Sequence, residues 1–479
     1  MKALVTGASG YIGGELIAHL LLRGHEVRCM VRGSSRFRHE GSGSVEVVEA
    51  DSLQADERLN EAVKGIDVAY YLIHSMDKDG NDFEDRDRKA ARNFAAAAKA
   101  AGVKKVVYLG GLGRNTSQMS SHLKSRQETG EILRQFGPDV IEFRAAIIVG
   151  NGSVSFEIIR LLAERLPVMI CPRWVITRVQ PIAIKDVLAY LVAAAEGRVT
   201  GSAIVEIGGA SLETYNSMIL KYARLRGLRR SMLRVPVLTP RLSSYWLDLV
   251  TPIPPSISRP LIEGLRSEVI CHDRSAAELF PDIHPVDYEA AIRTALDRRI
   301  PLHLVAEKMR GDCGGSRVTR VLVREQGFIF DVRESVVKTT AQRTFSVIEG
   351  IGGRRGWLYA DSLWQLRGWM DRAIGGEGMR RGRVDPNRLR IDDVLDFWNV
   401  EEIERPRLLR LRAEMKLPGR AWLQFECVES SETETKLRTT AIFEPRGLAG
   451  ELYWAATYPA HSIIFNGMHR AIAHRAESA

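Results

Sequence analysis

The run Thr6-Gly7-Ala8-Ser9-Gly10-Tyr11-Ile12-Gly13 follows an apolar segment, Lys2–Thr6, and leads into a longer amphipathic one. Its three glycines, spaced as G-x-x-G-x-x-G, permit a tight turn, close approach of a pyrophosphate, and packing of a helix on a sheet. The free N–H groups and the positive dipole end of the following helix attract phosphate. The run therefore predicts a strand–turn–helix unit that binds a dinucleotide.

The first 300 residues alternate short apolar segments with longer amphipathic ones. Strands are predicted at Lys2–Thr6, Val27–Val31, Val45–Val48, Val68–Ile73, Lys105–Leu109 and Val140–Phe143, and helices at Gly13–Leu22, Arg86–Ala101, Ser125–Gln135 and Asp287–Arg298. Near-continuous apolar strands that alternate with helices are typical of a parallel sheet covered on both faces. The predicted fold of residues 1–300 is α/β, a Rossmann-type doubly wound parallel sheet.

The pattern of polar and apolar residues changes at Pro301, and we therefore expect a second domain over residues 303–479. Runs at 408–414, 421–428 and 435–443, separated by turn residues, predict an antiparallel sheet. Segments near 341–348 and 460–472 are partly helical, so the expected class is α+β, with the sheet wrapped on a long helix. Six of the eight tryptophans lie in this third, where they line either a packed core or a ligand cavity.

The end of the second strand bears on the choice of cofactor. Val31-Arg32 comes about 19 residues after Gly13, where a site selective for NAD carries an acidic residue. Arg32 instead suits the 2′-phosphate of NADP, so NADP is favoured and NAD stays possible. Asp51 follows the third strand, where a carboxylate can meet the adenine amino group. Its alternative role is to cap a helix over 52–63.

Net charge and cysteine content limit the classes of function that this chain can have. The 479 residues carry a net charge of +9, and segment 366–390 holds seven arginines against three acids. Such a segment is typical of a solvated or ion-paired surface, with an anionic ligand or a membrane surface as the alternative; no nucleic-acid partner is expected. Five scattered cysteines without a C-x-x-C pair argue against disulfides and a metal site and favour a cytoplasmic protein. No leader or transmembrane segment is expected, and the oligomeric state cannot be read.

The glycine run, Arg32 and Asp51, with the Tyr71-Leu-Ile-His-Ser75 and Leu109-Gly-Gly-Leu-Gly113 strand ends, resemble an atypical short-chain dehydrogenase/reductase. The likeness is nearest the NmrA-like and complex I accessory-subunit-like branch. The last third is similar to an uncharacterised bacterial domain and resembles the helix-grip superfamily of polyketide cyclases and lipid-transfer proteins, which implies a possible small apolar ligand. The candidate cofactor-binding residues are Thr6, Gly7, Gly10, Tyr11, Ile12, Gly13, Arg32, Asp51, Leu72 and Lys124.

The chain departs from this family where catalysis is expected. Redox members use Tyr and Lys four residues apart, and here Ser120 takes the tyrosine position while Lys124 keeps the lysine. A serine hydroxyl is too weak an acid to replace the phenol. His122 is the candidate proton donor, although in a regular helix it is expected to point away from Lys124. Two functions stay open: an NADPH-dependent oxidoreductase for a carbonyl or quinone-like substrate, or a dinucleotide-binding redox sensor or assembly factor.

Overall fold

The computed structural model describes residues 1–33, 37, 43–74, 83–113, 120–171, 173–197, 199–234, 267–297, 300, 318–379, 383, 385 and 387–478. The chain divides into two compact units, Met1–Arg298 and Arg299–Ala479. The predicted boundary at 301–303 lies outside the described residues. That residues 303–479 fold on their own therefore stays a prediction.

The first unit alternates strands and helices. Its strands are β1 (Lys2–Thr6), β2 (Glu26–Val31), β3 (Glu46–Glu49), β4 (Val68–Tyr71), β5 (Lys105–Gly111), β6 (Asp139–Ala145), β7 (Ile148–Val149), β8 (Val168–Cys171), β9 (Arg178–Val179), β10 (Ile182–Ala183), β11 (Ala203–Ile207), β12 (Glu213–Thr214) and β13 (Ser231–Arg234). Its helices are α1 (Tyr11–Leu22), α2 (Glu57–Val63), α3 (Phe83–Ala100), α4 (Ser121–Phe136), α5 (Val154–Arg165), α6 (Ile184–Glu196), α7 (Tyr215–Leu225), α8 (Ser275–Leu279) and α9 (Tyr288–Leu296).

Seven parallel strands form the main sheet of this unit, in the order β11-β6-β5-β4-β1-β2-β3. The six strands predicted from sequence are all present, with ends that differ by at most two residues. Strand order reverses between β1 and β4, and in doubly wound sheets ligands bind at the carboxyl ends of the strands at this reversal. The predicted α/β Rossmann-type fold is confirmed.

Helices cover both faces of the parallel sheet. On one face, Leu16 and Leu20 of α1 pack with Leu188 and Leu191 of α6 in one buried cluster. On the other face, α2 and α3 contribute to a second cluster that includes Phe94. Burial of both faces explains why the strands read as continuous apolar runs.

The second unit is built on an antiparallel sheet. Its strands are β14 (Thr319–Glu325), β15 (Phe328–Val337), β16 (Val394–Leu395), β17 (Trp398–Glu404), β18 (Leu408–Ala413), β19 (Gly419–Ser431) and β20 (Glu434–Pro445). Its helices are α10 (Ala341–Glu349), α11 (Asp361–Ala373) and α12 (Gly447–Ser478). The strand order is β14-β15-β20-β19-β18-β17-β16. The antiparallel sheet and its long helix agree with the α+β prediction, whereas the likeness to the helix-grip superfamily stays a prediction.

Aromatic side chains fill much of this second unit. Five of the six tryptophans of the C-terminal third are buried, namely Trp357, Trp364, Trp398, Trp422 and Trp454. Trp364 stacks on Trp357 with ring centroids 4.9 Å apart and lies edge-on to a phenylalanine of α12. Core packing is therefore the main role of these residues. Trp369, which is 76% exposed, is the exception.

A buried histidine makes this core sensitive to acid. His469 of α12 has no exposed surface, and its ring nitrogens lie 2.9 Å from the hydroxyls of Ser335 and Thr439. Burial lowers the pKa of His469 to about 3, and the positive charge of Arg333 acts in the same direction. The unfolded chain, in which histidine titrates near pH 6.5, therefore binds a proton between pH 6.5 and 3 that the folded chain does not.

The free energy of unfolding should therefore decrease as the pH falls through this window. His469 alone should account for a decrease of about 2 kcal/mol from pH 7 to pH 5. Urea unfolding of the His469→Gln variant should show a pH dependence smaller by that amount. His474→Gln, which replaces an exposed histidine of the same helix, is the matched control. An unchanged pH dependence in His469→Gln would contradict the prediction.

Candidate functional site

The glycine turn between β1 and α1 leaves no room for a Cβ at Gly7 or Gly13. Gly7 has a φ of +62°, and a Cβ there would lie 2.6 Å from the carbonyl oxygen of Leu72. A Cβ on Gly13 would lie 2.4 Å from the carbonyl oxygen of Gly7. Helix α1 begins after Gly10 with no side-chain cap, so its first N–H groups remain available to an anion. A cradle of this kind fits a pyrophosphate.

Thr6 and Leu72 tie the turn to the neighbouring strand. The Thr6 hydroxyl donates to the carbonyl of Tyr70 and accepts from the N–H of Leu72, both at 3.0 Å. Because these bonds occupy the buried hydroxyl, Thr6 fixes β1 against the end of β4. Leu72, the other candidate cofactor-binding residue here, places its backbone directly beside Gly7.

Tyr11 and Ile12 begin helix α1. The Tyr11 hydroxyl lies only 2.2 Å from where a Cβ on Gly150 would stand, so the ring packs closely on that glycine. Burial raises the pKa of Tyr11, with Glu15 and Glu157 adding to the effect. This phenol is therefore a weaker acid than a free tyrosine. Ile12 packs against the apolar cluster beneath α1.

Arg32 and Asp51 lie beyond the ends of β2 and β3, respectively. Arg32 is exposed, and Asp51 is half-buried. The Asp51 carboxylate accepts from the N–H of Leu53 at 3.0 Å within a turn. The alternative role of Asp51 as the cap of a helix over 52–63 is wrong: α2 begins at Glu57, and the extended Asp56 accepts from Leu59 instead.

Three side chains form a hydrogen-bonded chain beside the end of β4. Oδ2 of Asp87, on α3, lies 3.1 Å from Nδ1 of His74. Nε2 of His74 lies 3.1 Å from Nδ1 of His122, near the start of α4. Ser125 also donates to Asp87, at 3.2 Å. His74 is two residues beyond Leu72, so this chain lies next to the glycine turn.

Burial governs the protonation of the two histidines. It lowers the pKa of His122 to about 3, with His74 and Arg126 adding to the effect and Asp87 opposing it. Burial also lowers the pKa of His74, although its hydrogen bond to Asp87 opposes the shift. Both rings are therefore neutral at pH 7. The Asp87 carboxylate is the group that favours a proton on either of them.

His122 and Lys124 point to different sides of helix α4, which agrees with the sequence-based expectation. The helix is regular from Ser121 onward, and His122 meets His74. Lys124, about 200° around the axis, has a side chain that is 63% exposed, with Nζ 4.0 Å from Glu128. The role of Lys124 as a cofactor-binding residue stays a proposal.

Ser120 and Gly111 have structural roles in this chain. Ser120 is the N-cap of α4, where its side chain accepts from the N–H of Leu123 at 3.4 Å. A Cβ on Gly111 would lie 2.6 Å from a methyl group of Leu123, so this leucine fills the space beside Gly111. Neither position offers an acid, and the histidine chain is the titratable group close by.

Comparisons with known proteins agree with this geometry. Residues 7–144 match the model of a family described as NAD(P)H-binding, and residues 328–468 match a family described as a protein of unknown function (DUF2867). Residues 7–144 are thus similar to NAD(P)H-binding domains. A ceramide reductase of Caulobacter vibrioides is 27% identical over 237 residues, which are 48% of this chain and 73% of that protein.

Two further proteins resemble the N-terminal part of the chain, one in sequence and one in structure. The photosystem II assembly factor Ycf39 of Cyanophora paradoxa is 22% identical over 50% of this chain and 72% of its own length. The NADPH-dependent quinone oxidoreductase of Escherichia coli, solved with NADPH, covers 62% of this chain and 100% of its own, with a TM-score of 0.50 and 18% identity. The proteins that this chain resembles thus include reductases and an assembly factor.

Sequence reasoning did not single out His74 and Asp87 as candidate site residues. The available signal was a histidine just beyond β4, one of the two strands between which the strand order reverses. His74 also lies in a strand end that carries the family resemblance. Among the residues that the structure describes, no group of three or more His, Cys, Asp or Glu is placed to bind a metal. No helix in the described part of the chain is long and apolar enough to cross a bilayer.

Proposed function

We propose that the chain is an NADPH-dependent oxidoreductase in which the Asp87–His74–His122 chain handles the proton. The observation that supports this most is the hydrogen-bonded pair of histidines beside the glycine turn. Interconversion of an alcohol and a carbonyl moves one hydride and one proton. The bound dinucleotide supplies or takes the hydride, so the protein must provide the site for the proton.

The direction of the proposed histidine chain follows from Asp87, whose ionised carboxylate can only accept hydrogen bonds. A neutral His74 with its proton on Nδ1 donates to Asp87, which leaves Nε2 to accept from Nδ1–H of His122. Nε2 of His122 then carries a lone pair and is a base. This nitrogen takes the hydroxyl proton when an alcohol is oxidised and returns it, as imidazolium, when a carbonyl is reduced. The Asp87 carboxylate stabilises the positive charge.

The substrate that we propose is an apolar carbonyl or quinone-like compound. The ceramide reductase, which shares 27% identity over half of this chain, supports an apolar substrate. We further propose that the second unit holds a small apolar ligand. Mass spectrometry of a denatured extract of the purified protein tests both ideas. Co-purified NADP together with a lipid-like compound that supports NADPH oxidation is the expected result, and an extract without an apolar compound would contradict the ligand proposal.

Arg32 is proposed to select NADP through its 2′-phosphate. Replacing it in Arg32→Glu should remove the preference for NADPH over NADH, an effect of about 1.5–3 kcal/mol, because a charge-assisted contact becomes a repulsion. Calorimetric titration of both cofactors measures the difference. The control is Arg274→Glu, which reverses an exposed charge next to α8. That helix packs on β11, at the edge of the sheet opposite to Arg32. Equal affinities in the unaltered protein would contradict the assignment.

A second candidate function is dinucleotide binding without turnover, as a redox sensor or assembly factor. Two features favour it: Ser120 is a helix cap rather than an acid, and Lys124 is exposed. The likeness to a photosystem II assembly factor points the same way. Tight NADPH binding with no oxidation of NADPH by a panel of ketones, aldehydes and quinones would favour this function.

A further inference from the structure

Helix α11 in the second unit has a buried face. Trp364, Gly368 and Asp371, spaced four and three residues apart, all point into the unit. Trp364 stacks on a second buried tryptophan, and the Asp371 carboxylate accepts from the N–H groups of Gly378 and Lys416 at 3.0 and 2.9 Å. These contacts fix the orientation of the helix and leave its opposite face exposed.

The exposed face of α11 is also apolar. Leu363, Leu366, Met370 and Ile374, three or four residues apart, form an exposed row with Trp369 beside them, here called the outer stripe. Trp369 is 76% exposed, and Leu366, Met370 and Ile374 are each more than half exposed. A surface helix normally turns polar residues to solvent. A contiguous apolar row of this kind marks an interaction surface.

Cations lie at the edge of the outer stripe. Arg372 is exposed and, with Trp369 and Met379, lines a groove of about 400 Å³. Nζ of Lys416 lies 3.3 Å from the carbonyl oxygen of Ile374, at the end of the helix. Of the three acids in segment 366–390, Asp371 is buried and accepts from backbone N–H groups, whereas Glu377 beyond the end of the helix is exposed. Because the segment holds seven arginines against these three acids, the surroundings of the stripe carry a net positive charge.

We propose that the outer stripe docks on an anionic phospholipid bilayer. Trp369 and its apolar neighbours enter the headgroup boundary, and Arg372 and Lys416 meet lipid phosphates. The 13 residues of α11 span about 20 Å, too short to cross a hydrocarbon core of about 30 Å, so the helix lies in the plane of the surface. A second copy of this chain fits less well, because a symmetric dimer would bring the two basic edges together.

Co-sedimentation of the full chain with vesicles tests this proposal, and it does not depend on the reductase activity. We expect binding to vesicles of phosphatidylglycerol and phosphatidylcholine and weaker binding to vesicles of phosphatidylcholine alone. Binding should fall markedly in 0.5 M salt, because the Debye length is then about 4 Å and the charges are screened. The double variant Leu366→Ser/Trp369→Ser should bind the anionic vesicles with an affinity at least about tenfold lower. Leu452→Ser/Ile463→Ser, which alters two equally exposed residues of α12, should bind normally.

Three results would overturn the proposal. The first is equal vesicle binding by the outer-stripe variant and the unaltered protein. The second is no binding to either vesicle by the unaltered protein. The third is a dimer in light scattering that the outer-stripe variant alone dissociates, which would assign this surface to a second copy. Circular dichroism of both double variants checks that the changes at exposed positions leave the fold intact.

Discussion

Gly13→Ala is expected to weaken dinucleotide binding by about 100-fold or more. The new Cβ would lie 2.4 Å from the carbonyl oxygen of Gly7 and 3.0 Å from Cα of Ala8, and both of these are backbone atoms. The turn must therefore shift, which displaces the N–H groups that meet the pyrophosphate. Charge-assisted hydrogen bonds are worth about 1.5–3 kcal/mol each, so loss of one or two accounts for the effect. Calorimetric titration with NADPH measures it.

Gly14 provides a matched control in the next position of the same helix. A Cβ there would meet only the carbonyl oxygen of Ala8, at 3.9 Å. Gly14→Ala should therefore bind NADPH normally and gain about 0.5–1 kcal/mol of stability from the helix preference of alanine. Normal affinity in Gly13→Ala, or an equal loss in both variants, would show that close packing of the turn is not what organises the cofactor site.

The glycine turn was predictable because its requirements are local. Eight consecutive residues contain the positive φ of Gly7 and the close approach of Gly13, and the apolar strands on either side fix its place in a parallel sheet. The likeness to a known family added the expectation of an acid near Ser120. It could not show that this hydroxyl is a helix cap, since capping depends on where α4 begins.

The histidine chain depends on tertiary structure. His74, Asp87 and His122 come from the end of β4 and from two helices, separated in sequence by 13 and 48 residues. Their meeting follows from the packing of α3 beside α4, which hydrophobic periodicity does not specify. Helix α11 was missed for a different reason: its outer stripe is apolar, while its buried face includes Asp371, so the pattern of polarity does not show which face lies inside.

His122→Phe is expected to lower the turnover of any alcohol or carbonyl substrate by about 10²- to 10⁴-fold while leaving NADPH affinity unchanged. The aromatic ring retains the bulk of the imidazole but has no nitrogen to accept or return a proton. Steady-state kinetics and calorimetry give the two quantities separately. The same change at the exposed His272 is the control and should affect neither.

The pH dependence of turnover distinguishes proton transfer from a merely structural role. With the pKa of His122 lowered to about 3, the base is already neutral above pH 5, so alcohol oxidation should vary little with pH up to about 8. Carbonyl reduction needs the imidazolium, whose population falls about tenfold for each pH unit above the pKa. The reduction rate should fall accordingly. Asp87→Asn removes the stabilising negative charge and should lower reduction more than oxidation.

Lys124→Ala completes the comparison, because it separates cofactor binding from proton transfer. If Lys124 contacts the nicotinamide ribose, this variant should lose NADPH affinity, whereas His122→Phe should not. Unchanged turnover in His122→Phe would eliminate His122 as the proton-transfer group. Loss of binding in Lys124→Ala, with no turnover of any substrate by the unaltered protein, would instead assign the chain to dinucleotide sensing, since Ser120 and the weakly acidic Tyr11 offer no replacement acid.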